Sequence, residues 1–199
     1  MINAAQTVAI VTTRMPERLP SDPPFHGATV SSFASIALNP HPLVSFSLRL
    51  PSRLADAIRR NKDPKMLPHL VISLLSFQQA TAAFQFSRPD LFPNPFESLP
   101  MADQPIRITK EGVPYLGGSL GSMSCTIVRS FPLDFSTSLQ NADDSLQLQE
   151  AIPVDDQGQI SELFIARVIR MEKHDDDEGG EHTRALPLIY HQKRFGTVK

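Results

Sequence analysis

Thr29, Ser31 and Ser32 in one stretch, Ser47 in the next, and Ser52-Arg53 directly after it are the residues whose types and spacing fit phosphate chemistry. Backbone N–H groups at a helix start attract anions, and a guanidinium fork bonds two oxygens at once. A cation at the first helical position costs roughly a few tenths of a kcal/mol unless an anion is bound. On residue types alone the plainer alternative, a serine-rich half-exposed sheet with an ordinary cap, has the advantage. Gly117-Gly118-Ser119-Leu120-Gly121 spells G-x-S-x-G, but a nucleophile elbow needs a helix after it, and SMSCTIVRSF reads as strand. Asp175-Asp176-Asp177-Glu178 between His174 and His182 lacks the regular ligand spacing of a calcium loop and reads as a solvated tip. Cys125 reads as a small buried hydrophobe. His191, Arg194 and Phe195 end a last strand in a polar tail.

The elements that must position these groups follow from periodicity. Val8 to Thr13 is a buried-type strand, and Arg14 to Phe25, with four prolines, is a loop. His26 to Leu38 alternates as one long strand. Thr29, Ser31, Phe33 and Ser35 share one face, and Ala28, Val30, Ala34, Ile36 and Leu38 the other. Asn39-Pro40-His41-Pro42 breaks it. Leu43 to Leu50 is a second strand, with Ser45, Ser47 and Arg49 opposite Val44, Phe46 and Leu48. Ser52 caps a helix over Arg53 to Arg60. Leu70 to Leu75 is a strand. Ser76 and Gln79 form a capping box for a helix to about Phe86, with Ala80, Ala83 and Phe84 as its buried stripe. Ser87 to Gln104 is irregular. Pro105 to Lys110 and Gly112 to Leu116 frame a turn, and Ser124 to Ser130 and Leu163 to Met171 are strands. Many strands, two short helices and no βαβ rhythm predict a mainly β fold, a barrel with helices at its rim, in one domain over residues 1–199.

TVSSFASIALNPHPLVSFSLRLPSR resembles the core signature of the flavin reductase-like, FMN-binding split-barrel family. LVISLLSFQQATAAFQF, GVPYLGGSLGSMSCTIV and PLIYHQKRFG resemble its later motifs, in order. The resemblance implies a Greek-key antiparallel split barrel with short flanking helices, working as a homodimer. It further implies FMN, with FAD as the alternative, and NAD(P)H as co-substrate. Hydride would pass from the nicotinamide C4 to the flavin N5, and the reduced flavin would diffuse away, meet oxygen or serve a partner monooxygenase. On this reading Thr29, Val30, Ser31, Ser32, Ser47, Ser52 and Arg53 contact the phosphate and ribityl chain, and backbone amides of Phe46, Ser47 and Leu48 meet the ring edge. The resemblance also brings Arg194 and Phe195 to the flavin and gives His191 the catalytic place on the nicotinamide side. One departure bears on turnover. Reductases of the family commonly carry Gly-Asp-His before the strand matching Leu163 to Met171, where this chain has Gln159-Ile160-Ser161-Glu162. The rival expectation is therefore a flavin-binding or interaction module with little NAD(P)H turnover.

Composition narrows the classes. A net charge of −2 and no basic stripe argue against nucleic acid as the partner. No apolar run approaches the ~18 residues of a membrane span. A single cysteine excludes an internal disulfide, and no metal site is expected. The expected setting is intracellular, cytoplasmic or mitochondrial. Family members usually carry a helix before the first strand, which here begins almost at once, so an upstream segment removed or lost is part of that expectation.

Overall fold

The computed structural model describes residues 4–16, 23–61, 67–99, 106–133, 160–172 and 186–198. The acidic run 174–182 lies outside them. In chain order the elements are β1 (Gln6–Thr7), β2 (Ala9–Arg14), β3 (Phe25–Val30), β4 (Ala34–Ala37), β5 (Leu43–Arg49), α1 (Arg53–Arg60) and β6 (Leu70–Leu74). A 3-10 turn at Phe77–Gln79 leads into α2 (Ala80–Ser87), followed by α3 (Pro95–Ser98) and β7 (Ile106–Ile108). The rest are β8 (Pro114–Leu116), β9 (Gly121–Pro132), β10 (Ser161–Glu172), β11 (Ile189–His191) and β12 (Arg194–Gly196).

Seven strands form one sheet in the order β3-β2-β6-β9-β10-β5-β4, every neighbouring pair antiparallel. The expected single strand from His26 to Leu38 is therefore two. β3 is one edge and β4 the other, so the chain must leave the sheet at Ser31–Phe33 and cross to the far side. Alternation is blind to such a change of partner, because both halves keep the two-residue period. The crossing also closes the barrel. Ser47 N–H donates to Ser32 Oγ at 2.8 Å, and that hydroxyl donates to Ser47 O at 3.2 Å, joining the crossover to β5.

The barrel interior is filled by Ala9, Val11, Val30, Val44, Phe46, Leu48, Leu70, Ile72, Phe164 and Ala166, with Leu54, Ala55 and Ile58 of α1 set into it. Phe46 and Phe164 are register partners and stack with centroids 5.3 Å apart. Val8 and Ile10, of opposite parity, enter a second core with Leu75, Ala82, Ala83, Phe86, Leu116 and Leu188 outside the sheet. β2 is thus covered on both faces, which explains its unbroken apolar run. In α2 the buried residues are Ala82, Ala83, Gln85 and Phe86, while Phe84 is exposed, so the helix is turned from the expected Ala80-Ala83-Phe84 stripe. The reason lies in β3. A Cβ on Gly27 would come 2.7 Å from Phe86 Cε1, so the glycine makes the niche that draws in Phe86 rather than Phe84. The capping box forms as read, with Gln79 Oε1 accepting Ser76 N–H at 3.1 Å, and the Ser76 hydroxyl donates to Gly118 O.

One ion pair outside the barrel sets a pH dependence. Glu111, in the β7–β8 turn, accepts hydrogen bonds from Nη1 and Nη2 of Arg170 at 2.7 and 2.6 Å, and Arg170 Nε reaches Glu172 at 2.8 Å. The Arg170 hydrogen bonds hold the Glu111 carboxyl down to about 2, from an ordinary 4.5. A depressed carboxylate stabilises the fold above its unfolded value and loses that contribution as pH falls through the folded one. Thermal midpoints of the parent and of Glu111→Gln should therefore differ most above pH 4.5 and converge towards pH 2. A constant gap over that interval would refute the pair's role.

Candidate functional site

The crossover that closes the barrel also opens a cleft beside it. Its walls are β3 from His26 to Val30, the crossing residues Ser31 and Ser32, and Ser47, Leu48 and Arg49 of β5. Pro51, Ser52 and Arg53 at the start of α1 and Ser161 at the start of β10 complete one side. Phe86 and Ser87 of α2, with Pro89, Asp90 and Pro93 after it, form the other. The cleft measures about 960 Å³, at the upper end of the roughly 300–1,000 Å³ of small-molecule sites.

α1 starts here for local reasons. Ser52 Oγ accepts the Ala55 N–H at 3.2 Å, and Ser52 O accepts that of Asp56 at 3.0 Å. The amides of Arg53 and Leu54 stay outside the helix's own ladder and add their partial positive charge to the cleft mouth. Arg59 forms an ion pair with buried Glu162 at 2.9 Å and also bonds Asp56, tying α1 to the strand that carries Ser161. The charges facing the cleft are unbalanced. Neither Arg49 nor Arg53 has a carboxylate partner among the described residues, whereas Asp90, the lining carboxylate, is bound by Arg88 at 2.6 and 2.9 Å. His26 adds a half-buried imidazole whose pKa is pushed below the ordinary 6.5 by burial first and by the Arg53 charge second.

Of the residues expected to contact a ligand, Thr29, Val30, Ser31, Ser32, Ser47, Leu48, Ser52 and Arg53 line this one cleft. Several hydroxyls there are already engaged. Thr29 donates to Ala83 O at 2.7 Å, Ser32 is joined to Ser47, and Ser52 caps α1. They retain oxygen lone pairs for a ligand, while Ser31 Oγ has no partner among the described residues. Phe46, expected to offer only its backbone amide, turns its side chain into the barrel core, fully buried on Phe164. Three expected residues lie away from this place. His191, Arg194 and Phe195 belong to the β11–β12 hairpin, which pairs with β1 in a separate three-stranded sheet and lines no part of this cleft. There Phe195 packs on Tyr190, 5.5 Å between centroids, against the outer core.

His26, Arg49, Ser161 and the α2 end are the lining residues that periodicity passed over. Arg49 was visible in principle, since it shares the Ser45-Ser47 parity. His26 lies on an edge strand, where both faces stay accessible and parity says little. Ser119 stands where its plainer reading put it. Its hydroxyl donates to Leu116 O at 3.0 Å in a turn followed directly by β9, with no helix behind it. Cys125 is fully buried, its thiol pushed up to about 12 by burial. Among the described residues no three metal-ligating side chains converge, and no helix is long and apolar enough to cross a membrane.

Comparison with known proteins agrees with the fold. The family described as flavin reductase like domain matches residues 1–199. A flavin reductase domain protein from Arthrobacter sp. FB24 superposes with a TM-score of 0.65 at 18% identity, covering 99% of this chain and 90% of that one. The flavin reductase component of a bacterial two-component tryptophan halogenase gives 0.64 at 18%, over 99% and 92%. The styrene monooxygenase flavin reductase of Pseudomonas putida S12 gives 0.58 at 22%, over 98% and 92%. At these identities the structures establish a shared fold.

Proposed function

The chain belongs to the flavin reductase like domain family, and from that premise we propose that the cleft between β3, β5 and α1 holds FMN for reduction by NADH or NADPH. The observation that carries the reading is the pair of arginines, Arg49 and Arg53, facing the cleft with no carboxylate partner among the described residues, beside a free helix start. A ligand bearing a phosphate dianion balances those charges, and a neutral one leaves them as they are. The rest of the lining suits the remainder of such a molecule. Hydroxyls of Thr29, Ser31 and Ser32 suit a ribityl chain, and Ala28, Val30, Leu48, Phe86, Pro89 and Pro93 give apolar wall for a flat ring.

When bound, the flavin supplies a ring that accepts hydride from a nicotinamide. The chain's own work is binding and orientation. Arg53 and the first amides of α1 fix the phosphate, Arg49 adds charge along β5, and the Arg59–Glu162 pair keeps α1 at the cleft. Glu162 is 2% exposed, so that tie is anchored at a buried carboxylate, with the Arg59 end reaching the surface. Pro89 and Pro93 stiffen the segment over the mouth, so little of its freedom remains to be lost when a ligand seats.

A second reading, binding with little turnover, is favoured by the segment before Leu163. There Ser161 lines the cleft and Glu162 turns away to Arg59, so no imidazole stands where reductases of the family commonly carry one. Anaerobic mixing of the protein with excess FMN and NADH or NADPH separates the two. Loss of the oxidised flavin's visible band at catalytic protein concentration supports the reductase, and binding without that loss supports the module. A homodimer, and delivery of reduced flavin to a partner monooxygenase, belong to the same proposal. Ile36 and Leu38 at the edge strand and Val128, Ile169 and Met171 on β9 and β10 leave apolar surface that a second copy would cover, Leu38 being 74% exposed. A monomeric mass by light scattering would end the dimer.

A further inference from the structure

We propose that His26 is a phosphate-recognition residue that takes up a proton when the anion binds, so that the cleft's preference for a phosphorylated flavin grows as pH falls. The inference rests on the reading that this cleft holds a flavin phosphate. It starts from placement. His26 stands on β3 opposite Thr13 and faces the same cleft as Arg53. The ring is half-buried, yet among the described residues no hydrogen bond reaches either nitrogen. A side chain that has given up much of its water without gaining a partner is costly unless a ligand supplies one.

The charges around it decide its state. The elements packed against β3 bring Arg14 of β2, Arg49 of β5, Arg53, Asp56, Arg59 and Arg60 of α1, and the Arg88–Asp90 pair after α2. The carboxylates among these are engaged, Asp56 by Arg59 and Asp90 by Arg88. The charge that acts on the imidazole is that of Arg53. In the free protein burial and this neighbour keep the ring neutral at pH 7, with one N–H to donate. A phosphate dianion placed at Arg53 reverses the local sign. The imidazolium is then favoured, it donates from both nitrogens, and the bound ligand raises what the empty cleft had lowered. By linkage, a ligand that draws one proton with it binds up to about tenfold more tightly for each pH unit descended through that window.

The ligand titrates too, since a phosphate monoester has its second pKa near ~6, so the test compares proteins rather than pH values alone. FMN and riboflavin are titrated calorimetrically into the full-length protein, His26→Gln and His26→Lys, in buffers of different ionisation enthalpy between about pH 8 and pH 6. FMN binding to the parent should take up a larger fraction of a proton than binding to His26→Gln, and riboflavin binding none. The ratio of FMN to riboflavin affinity should rise more steeply with falling pH in the parent than in His26→Gln. His26→Lys, with a permanent cation, should keep a high ratio with the flattened slope, which a merely structural role for the ring would not produce. Equal proton uptake by the parent and His26→Gln, with FMN still preferred over riboflavin, overturns this inference and leaves the site reading standing. No preference for FMN over riboflavin in any of the three overturns both.

Discussion

Arg53→Ala is expected to weaken FMN binding by roughly 1.5–3 kcal/mol, about 10- to 150-fold, while changing riboflavin affinity by no more than the ~0.5 kcal/mol usual for a surface substitution. The size follows from charge-assisted bonds to phosphate, and the asymmetry from what Arg53 does not do. It is exposed, has no carboxylate partner among the described residues and contributes nothing to the barrel core. α1 is held instead by buried Leu54, Ala55 and Ile58 and by Arg59 on Glu162, so the helix survives the change. Arg49 stays in place and retains part of the affinity. Arg53→Lys keeps the charge without the two-pronged geometry and should fall between parent and alanine. Added salt should weaken FMN binding to the parent more steeply than to Arg53→Ala, because part of the screened attraction is already gone. The substitution also removes the one charge acting on His26, whose imidazole should move back towards its ordinary range, with burial still holding it down. Affinities come from quenching of flavin fluorescence. Equal loss for FMN and riboflavin would show that Arg53 does not meet the phosphate.

How far the sequence disclosed the site depends on which physical rule was being read. β5 was legible because it lies inside the sheet with one face on the core. Val44, Phe46 and Leu48 are buried, and Ser45 and Ser47 are half-buried, as a two-residue period requires. α1 was legible because its cap and its Leu54-Ala57-Ile58 stripe are local. Ser31–Phe33 was not, because a strand that changes partner keeps its alternation while its neighbours are replaced, and only the strand order reveals the crossing. α2 turned out rotated because a glycine on another element, Gly27, provides room for Phe86. The C-terminal hairpin shows a further limit. A motif identifies a family, but the place of His191, Arg194 and Phe195 is set by pairing with β1, six residues from the other end of the chain. The cleft itself was visible as a list of hydroxyls. Its charge imbalance was not, since knowing that Arg49 and Arg53 have no carboxylate partner among the described residues requires knowing where the neighbouring carboxylates went.

Phe46→Ala should be the most destabilising single change near the site, and it separates a residue that builds the cleft's wall from one that meets the ligand. Phe46 is fully buried, stacked on Phe164 at 5.3 Å and 11° between planes. Truncating such a ring costs about 3–5 kcal/mol, a large share of a domain's ~5–15 kcal/mol. The cavity has little chance to collapse, because β5 is paired on both sides, with β10 from Leu43 to Arg49 and with β4 from Leu43 to Ser45. A thermal midpoint lower by roughly 6–20 °C follows for a chain of this size. FMN affinity measured well below that midpoint should nevertheless stay close to the parent's. The Phe46 ring points away from the cleft, and the Ser47 amide beside it is already satisfied by Ser32 Oγ, so the backbone there is fixed by the crossover and not by the ring. Phe46→Leu, which refills most of the space, should recover much of the stability with the same affinity. A marked loss of FMN affinity in folded Phe46→Ala, restored in Phe46→Leu, would mean that core packing sets the cleft's shape directly; a loss persisting in both would place the ring against the ligand.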